Sequence, residues 1–200
     1  MSGDLRDTLL SGGINTWSLG WTTGRVGFDD AGAQLADAAS ADTQGRFSQW
    51  NASATRLQHV SANDAFYVAL SGQWSNANLD PAQKMVVGGA YTVRAYDMGV
   101  LSADSGILLS AEWRHELGVL WYGHLQAIGF VDSEHVTINH TVWAAGPNSA
   151  TLSGAGVGLN WSWSGQWNAR ASVAAPLGST PALIGANNSA RVWLALSKGF

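Results

Sequence analysis

Cysteine is absent from the 200 residues, so neither a disulfide framework nor a thiolate metal site can be built. Charge is scarce as well. Asp, Glu, Lys and Arg make up 12% of the chain, well under the usual quarter. The net charge of −4 argues against a nucleic-acid binder, which needs a basic face of Lys and Arg to neutralise phosphates. No apolar run approaches the roughly 20 residues of a membrane-spanning helix. The opening stretch, MSGDLRDTLLSGG, lacks the basic region and apolar segment of a signal peptide. There is no Gly-x-Ser-x-Gly, P-loop or dinucleotide fingerprint, and no Ser/His constellation can be assembled. Gly154-x-Gly156-x-Gly158 alternates within a strand pattern and is no phosphate cradle. His135 and His140 beside Glu134 fall in an expected surface loop, which gives little reason to place a metal there. The expectation is therefore a protein that is not an enzyme and needs no cofactor or metal.

What is abundant is Trp, with 11 residues, and Gly, with 24. A Trp-rich soluble lectin or sandwich fits that composition; so does a surface that meets something other than water. The hydrophobic period is two nearly throughout, which marks strands. Trp17, Leu19 and Trp21 alternate with Thr16, Ser18 and Gly20, and Phe66, Val68, Leu70 and Trp74 alternate with Tyr67, Ser71 and Gln73. The clearest run is 107–117, where Ile107, Leu109, Ala111 and Trp113 oppose Ser110, Glu112, Arg114 and Glu116. Further runs are expected over 46–59, 120–132, 151–163, 166–174 and 190–200, with a weak one at 84–91. The total is about eight strands, with room for one more.

The connections alternate short and long. Residues 60–64, 118–119 and 164–165 are tight; 29–45, 76–105, 133–150 and 176–188 are long. Bacterial outer-membrane barrels show this asymmetry, with short periplasmic turns and long outside loops. The two-faced pattern alone does not say which face is outside, since a soluble barrel buries the apolar face and a membrane barrel exposes it. Loop asymmetry, expected strands of about 9–11 residues and Trp near strand ends favour the membrane.

One stretch, Gly88–Arg114, stands apart as a Gly-flanked basic loop feeding the clearest strand. Its Val93-Arg94-Ala95-Tyr96, followed by SADSG and AEWRHEL, resembles the Val-Arg-Gly-Tyr/Phe loop of two-partner secretion transporters of the hemolysin activator type. Phe130-Val131-Asp132, LSGAGVGLNW, ARASVAAPLG and RVWLALSKGF resemble strand motifs of the same family, so the likeness runs over essentially all of residues 1–200. The resemblance implies an all-β fold, an antiparallel up-and-down transmembrane β-barrel. Five strands follow the loop and about three precede it, so the chain corresponds to roughly the C-terminal half of a 16-stranded barrel. The family's POTRA domains have no counterpart here. Together with the missing signal peptide, this leads to the expectation of a fragment, a mis-set start or a decayed gene.

The function implied is an outer-membrane protein translocation pore, exporting a large secreted β-helical partner of hemolysin or adhesin type. Its surroundings would be the outer-membrane lipid bilayer of a Gram-negative cell and the barrel-assembly machinery. The resemblance also implies that Arg94 pairs with Asp132 inside the lumen, with Tyr96 packed beside it and Glu112 and Arg114 available to the network. Phe200, Leu196 and Leu194 fit the assembly signal at the end of outer-membrane proteins. Ala95 stands where the family has Gly, Ala103 where Gly is common before the Asp, and Glu134 where the strand motif has Gly. The other readings are a self-contained small barrel with a structural or adhesin role, and an outer-membrane barrel enzyme.

Overall fold

A computed structural model describes residues 1–164, 166–185 and 189–199. In chain order the elements are β1 (Ser2–Asp7), β2 (Gly13–Val26), helix α1 (Ala31–Ala38), β3 (Gly45–His59), β4 (Asp64–Ser75), β5 (Met85–Val87), β6 (Leu101–Ala103), β7 (Ser105–Leu120), β8 (Gly123–Thr137), β9 (Ser149–Trp163), β10 (Trp167–Pro176) and β11 (Arg191–Lys198). Nine strands form one antiparallel sheet in the order β1-β2-β3-β4-β7-β8-β9-β10-β11, and β5 pairs only with β6. Consecutive strands are neighbours, as a meander of hairpins dictates. Among the described residues, β1 and β11 each pair on one side only.

The sheet is inside out by the standard of a soluble protein. Phe66, Val68, Leu70, Trp74, Ile107, Leu109, Trp113, Val131, Val157 and Leu159 are exposed, whereas Gln49, Gln73, Glu112, Asp132 and Glu134 are buried. Water would penalise this arrangement at about 25 cal/mol for every Å² of apolar surface left outside. A bilayer would remove the penalty, and the polar inward face would then line a lumen. The structure itself puts the apolar face outside and the polar face inside, which the pattern alone left open.

The core lies on the inward side. It is made by the chain between β4 and β7, which turns back across the sheet as a tongue. Val87, Val93, Ala95, Tyr96 and Ala103 of the tongue pack with Ile128, Phe130, Val136, Ala150, Leu152 and Ala174 of the wall, joined by Ile184.

Several expectations change. The weak run at 84–91 is not a sheet strand; its Met85–Val87 forms the arm of the tongue against Leu101–Ala103. The N-terminal stretch, to which no strand was assigned, forms β1 against β2, in register from Ser2↔Ser18 to Asp7↔Gly13. Four strands therefore precede the tongue, not three. Mixed charge around a single Leu5 hides the period, and Asp7 is instead secured by Arg56 at 2.8 Å, with Asn15 also on the carboxylate. Strands β2, β3, β4, β7, β8 and β9 are longer than the roughly 9–11 residues that spanning takes, reaching 16 in β7. They run on past the expected loop boundaries, so His135 belongs to β8 and not to a loop. The loop 27–44 contains α1, started by the Asp30 carboxylate accepting from the Ala33 amide at 2.7 Å, an N-cap that satisfies an otherwise orphan donor.

The β7–β8 turn is Trp121-Tyr122, with φ of 46° and 62°. A two-residue type I′ hairpin turn needs this left-handed backbone at both positions and usually supplies it with Asn-Gly. Bulky side chains there cost about 1 kcal/mol or more each. Trp121→Asn with Tyr122→Gly is expected to stabilise the hairpin by about 1–2 kcal/mol, read as a higher midpoint in heat or urea unfolding from detergent.

Candidate functional site: the seated tongue

The tongue begins at a 3-10 turn, Pro81–Gln83, and narrows to a tip by way of Gly88 and Gly89, whose φ values are +80° and +123°. Only glycine adopts these angles freely. Gly88 is also crowded: a Cβ there would meet the Asp97 carbonyl at 2.6 Å. The tight neck turns Val93–Tyr96 to face the inner wall. Val93, Ala95 and Tyr96 are buried, and Arg94 is 4% exposed.

Arg94 is held by two strands at once. Its Nε and Nη2 donate to Asp132 of β8, to Oδ2 and Oδ1, both at 2.8 Å. Its Nη1 donates to Oε1 of Glu112 on β7 at 2.7 Å. The planar fork fits one carboxylate and still has a nitrogen for the second, which a lysine ammonium cannot reproduce. Asp132 and Glu112 share the inward face because Asp132 stands opposite Ser110, two residues from Glu112 along β7. The Ser110 hydroxyl donates to Asp132 Oδ1 at 2.7 Å and orients it. Phe130 lies under the guanidinium, with its ring centroid 3.4 Å from Cζ, a cation–π contact in a desolvated place.

Glu112 collects two more cations. Arg114 donates to its Oε2 from Nε and Nη2 at 2.9 and 2.7 Å, and Arg170 of β10 reaches Oε1 at 3.0 Å. The ring of Tyr67 lies 4.2 Å from the Arg114 Cζ. A cavity of about 270 Å³ opens beside this group, lined by Tyr67, Arg94, Glu112, Arg114 and Arg170 among others.

Beyond Arg94 the tongue crosses to the far strands. Tyr96 Oη donates to the Ser153 carbonyl at 3.4 Å, a long bond. Trp193 of β11 donates from Nε1 to the Arg94 carbonyl at 2.7 Å. Arg191 grips Asp97 with Nε at 2.6 Å and Nη2 at 3.0 Å, and that hydrogen bonding holds the Asp97 carboxyl below the usual carboxylate range. The tongue thus bears on the wall from β7 to β11. These are fixed charges and fitted surfaces, which can hold or release a segment.

Residues 4–161 match the family described as Haemolysin secretion/activation protein ShlB/FhaC/HecB. The chain belongs to this family. The heme/hemopexin transporter protein HuxB of Haemophilus influenzae strain 86-028NP is 29% identical over 160 residues, covering 78% of this chain and 28% of HuxB. The same protein from strain ATCC 51907 / DSM 11121 / KW20 / Rd matches to the same extent. Among solved structures, CdiB from Escherichia coli superposes with a TM-score of 0.73 at 23% identity, over 92% of this chain and 33% of CdiB. That likeness establishes the barrel-wall fold. The chain spans less than a third of the length of HuxB.

Of the three departures from the pattern that the resemblance implies, Ala95 and Ala103 have a local account. Ala95 has no positive φ, so it carries no backbone penalty, and its methyl occupies the space left by Gly154 on β9. Ala103 likewise avoids positive φ and joins the core. Glu134 is fully buried on the inward face, next to the neck of the tongue, and neither carboxylate oxygen has a well-formed hydrogen bond. His135 points the other way along β8 and bonds Thr151 Oγ1 at 2.8 Å, so Glu134 and His135 cannot share an ion. Among the described residues no group of His, Cys, Asp and Glu could hold a metal. Leu194 and Leu196 are exposed on β11, while Phe200 lies outside the described residues.

Sequence reasoning did not single out Asp104, Ser110, Arg170, Arg191 or Trp193 for the site. Asp104 has the clearest role. It is fully buried and takes the Lys84 ammonium at 2.8 Å, the Leu79 amide at 3.1 Å and the His140 amide at 2.8 Å. It joins the root of the tongue to the β8–β9 loop, where Asn78 bridges the carbonyls of Ala41 and Thr141. Its signal was the polar SADSG at the loop's return. Asp104→Asn keeps the shape but removes the charge that balances Lys84. The expected loss is about 1–3 kcal/mol, with faster protease cleavage between residues 76 and 104 as the readout.

Proposed function

We propose that this chain supplies the barrel wall and the occluding tongue of an outer-membrane transporter that exports a large secreted β-helical protein by two-partner secretion. The observation that carries the reading is the burial of Arg94 between Asp132 and Glu112 on the inner wall of an inside-out sheet. A passing polypeptide needs that space. The tongue therefore serves as a plug whose ion pairs set when the path is open. Family membership and the CdiB-like wall support the same reading. No covalent bond is made or broken; folding of the partner outside the cell pulls it through. The bilayer covers the outward Trp, Leu and Val. The outward alternation of Val192, Leu194 and Leu196 on β11 suits strand addition during assembly by the barrel-assembly machinery.

The test is co-expression of the transporter containing this segment with the large secreted protein encoded beside it, in cells lacking both. Partner protein should reach the medium only when the transporter is present. Equal release without it would sink the proposal.

A further inference from the structure

The outward face has a groove in an otherwise even apolar surface, and it rests on the membrane reading above. It follows β10. Cross-strand register puts Ala169 between Trp161 of β9 and Leu196 of β11, and Ala171 between Leu159 and Leu194. Two methyl side chains thus lie in a trough with tall walls on both sides. The volume of this open groove is about 530 Å³, with apolar side chains dominating the lining, within the size range of ligand sites. The Trp161 ring is fixed by its Nε1 donating to the Leu120 carbonyl at 3.0 Å, so one wall is preorganised.

The trough has a charged foot. One register step below Ala169, Trp167 stands opposite Lys198, whose ammonium lies 5.3 Å from the Trp167 ring centroid. This is the end where the turns are short, the periplasmic end of such barrels, where the leaflet is phospholipid. Trp and Lys at that level belong to the headgroup region. The register places an apolar slot directly above a cation, at the depth where a phospholipid has its acyl chain above its phosphate.

We propose that this groove is a phospholipid site: one acyl chain lies over Ala169 and Ala171, and the headgroup phosphate rests on Lys198. Area burial holds the chain, with each buried methylene contributing about 0.8 kcal/mol, and the lysine selects the charged end. The site tethers one lipid beside β11, the strand at the sheet's open edge.

The test uses the transporter containing this segment, inserted into vesicles of phosphatidylethanolamine and phosphatidylglycerol, then extracted in mild detergent for native mass spectrometry. One phosphatidylglycerol should stay bound. Ala169→Leu with Ala171→Leu, which fills the trough, should lower the retained fraction at least fivefold. Lys198→Glu should lower it similarly by repelling the phosphate. Insertion is followed in parallel by vesicle flotation and protease resistance. Unchanged lipid retention in variants that still insert overturns the groove and leaves the membrane reading standing. Failure of the unsubstituted protein to float with the vesicles overturns both.

Discussion

Arg94→Ala is expected to unseat the tongue and reduce export of the secreted partner at least tenfold. Three short bonds go at once, two to Asp132 and one to Glu112. The greater effect is on what stays behind. Asp132 is 1% exposed and would keep only the Ser110 hydroxyl and the residue-94 amide as donors. Removing one partner of a buried ion pair costs about 3–5 kcal/mol, because the other charge is left uncompensated. At about 1.4 kcal/mol per factor of ten, the seated fraction falls by two orders of magnitude or more. Under the proposed function, an unseated tongue lies loose in the lumen where the exported chain must pass, and the closure that it made is lost. Partner protein in the medium and sensitivity to antibiotics too large for ordinary porins measure the two consequences. Arg94→Lys keeps the charge but reaches only one carboxylate, so it should fall between wild type and Ala. Normal export by the alanine variant would remove the ion pair from the mechanism.

The parts of this site that were legible in the sequence are those written in chemistry. Asp132, Glu112 and Arg114 carry charge in a chain with little of it and sit at positions whose period assigns them a face, whereas Arg94 lies in a loop and its pairing with Asp132 was implied only by the resemblance to the secretion family. The strands were legible for the same reason. Alternation over 107–117 sorts the residues of β7 into two faces without a structure, because a one-residue slip would move every side chain to the other side. The positions that were not legible depend on what is across the sheet. Arg191 and Trp193 reach Asp97 and the Arg94 carbonyl over more than 90 residues of chain, and nothing local marks them. β1 was missed because its pairing is set by Asp7 and Arg56 rather than by an apolar face. The strand ends were placed too early. Polar Ser133, Glu134 and His135 look like loop, yet they continue β8 to form the wall of the tongue's seat.

The alternating glycines of β9 show the same limit, and they give the second prediction. Gly154, Gly156 and Gly158 all lie on the inward face, and each is small for a reason outside its own strand. A Cβ on Gly156 would come within 2.5 Å of the Phe130 ring that supports Arg94, and one on Gly154 would collide with the Ala95 methyl. Non-bonded carbons rest at about 3.5–4.0 Å, so Gly154→Ala cannot coexist with the tongue where it now sits. The single methyl should unseat the tongue and impair export about as strongly as the loss of Arg94, although no charge is touched. The clash is specific to one partner. Ala95→Gly removes the methyl it meets, and the next neighbour, the Ala175 carbonyl at 3.2 Å, requires only a small adjustment. The double variant Ala95→Gly with Gly154→Ala should therefore regain most export, while Ala95→Gly alone stays near wild type. Such a cycle isolates the contact, since the two changes add only if the positions are independent. Additive loss in the double variant would mean that Gly154 serves the strand and not the seat of the tongue.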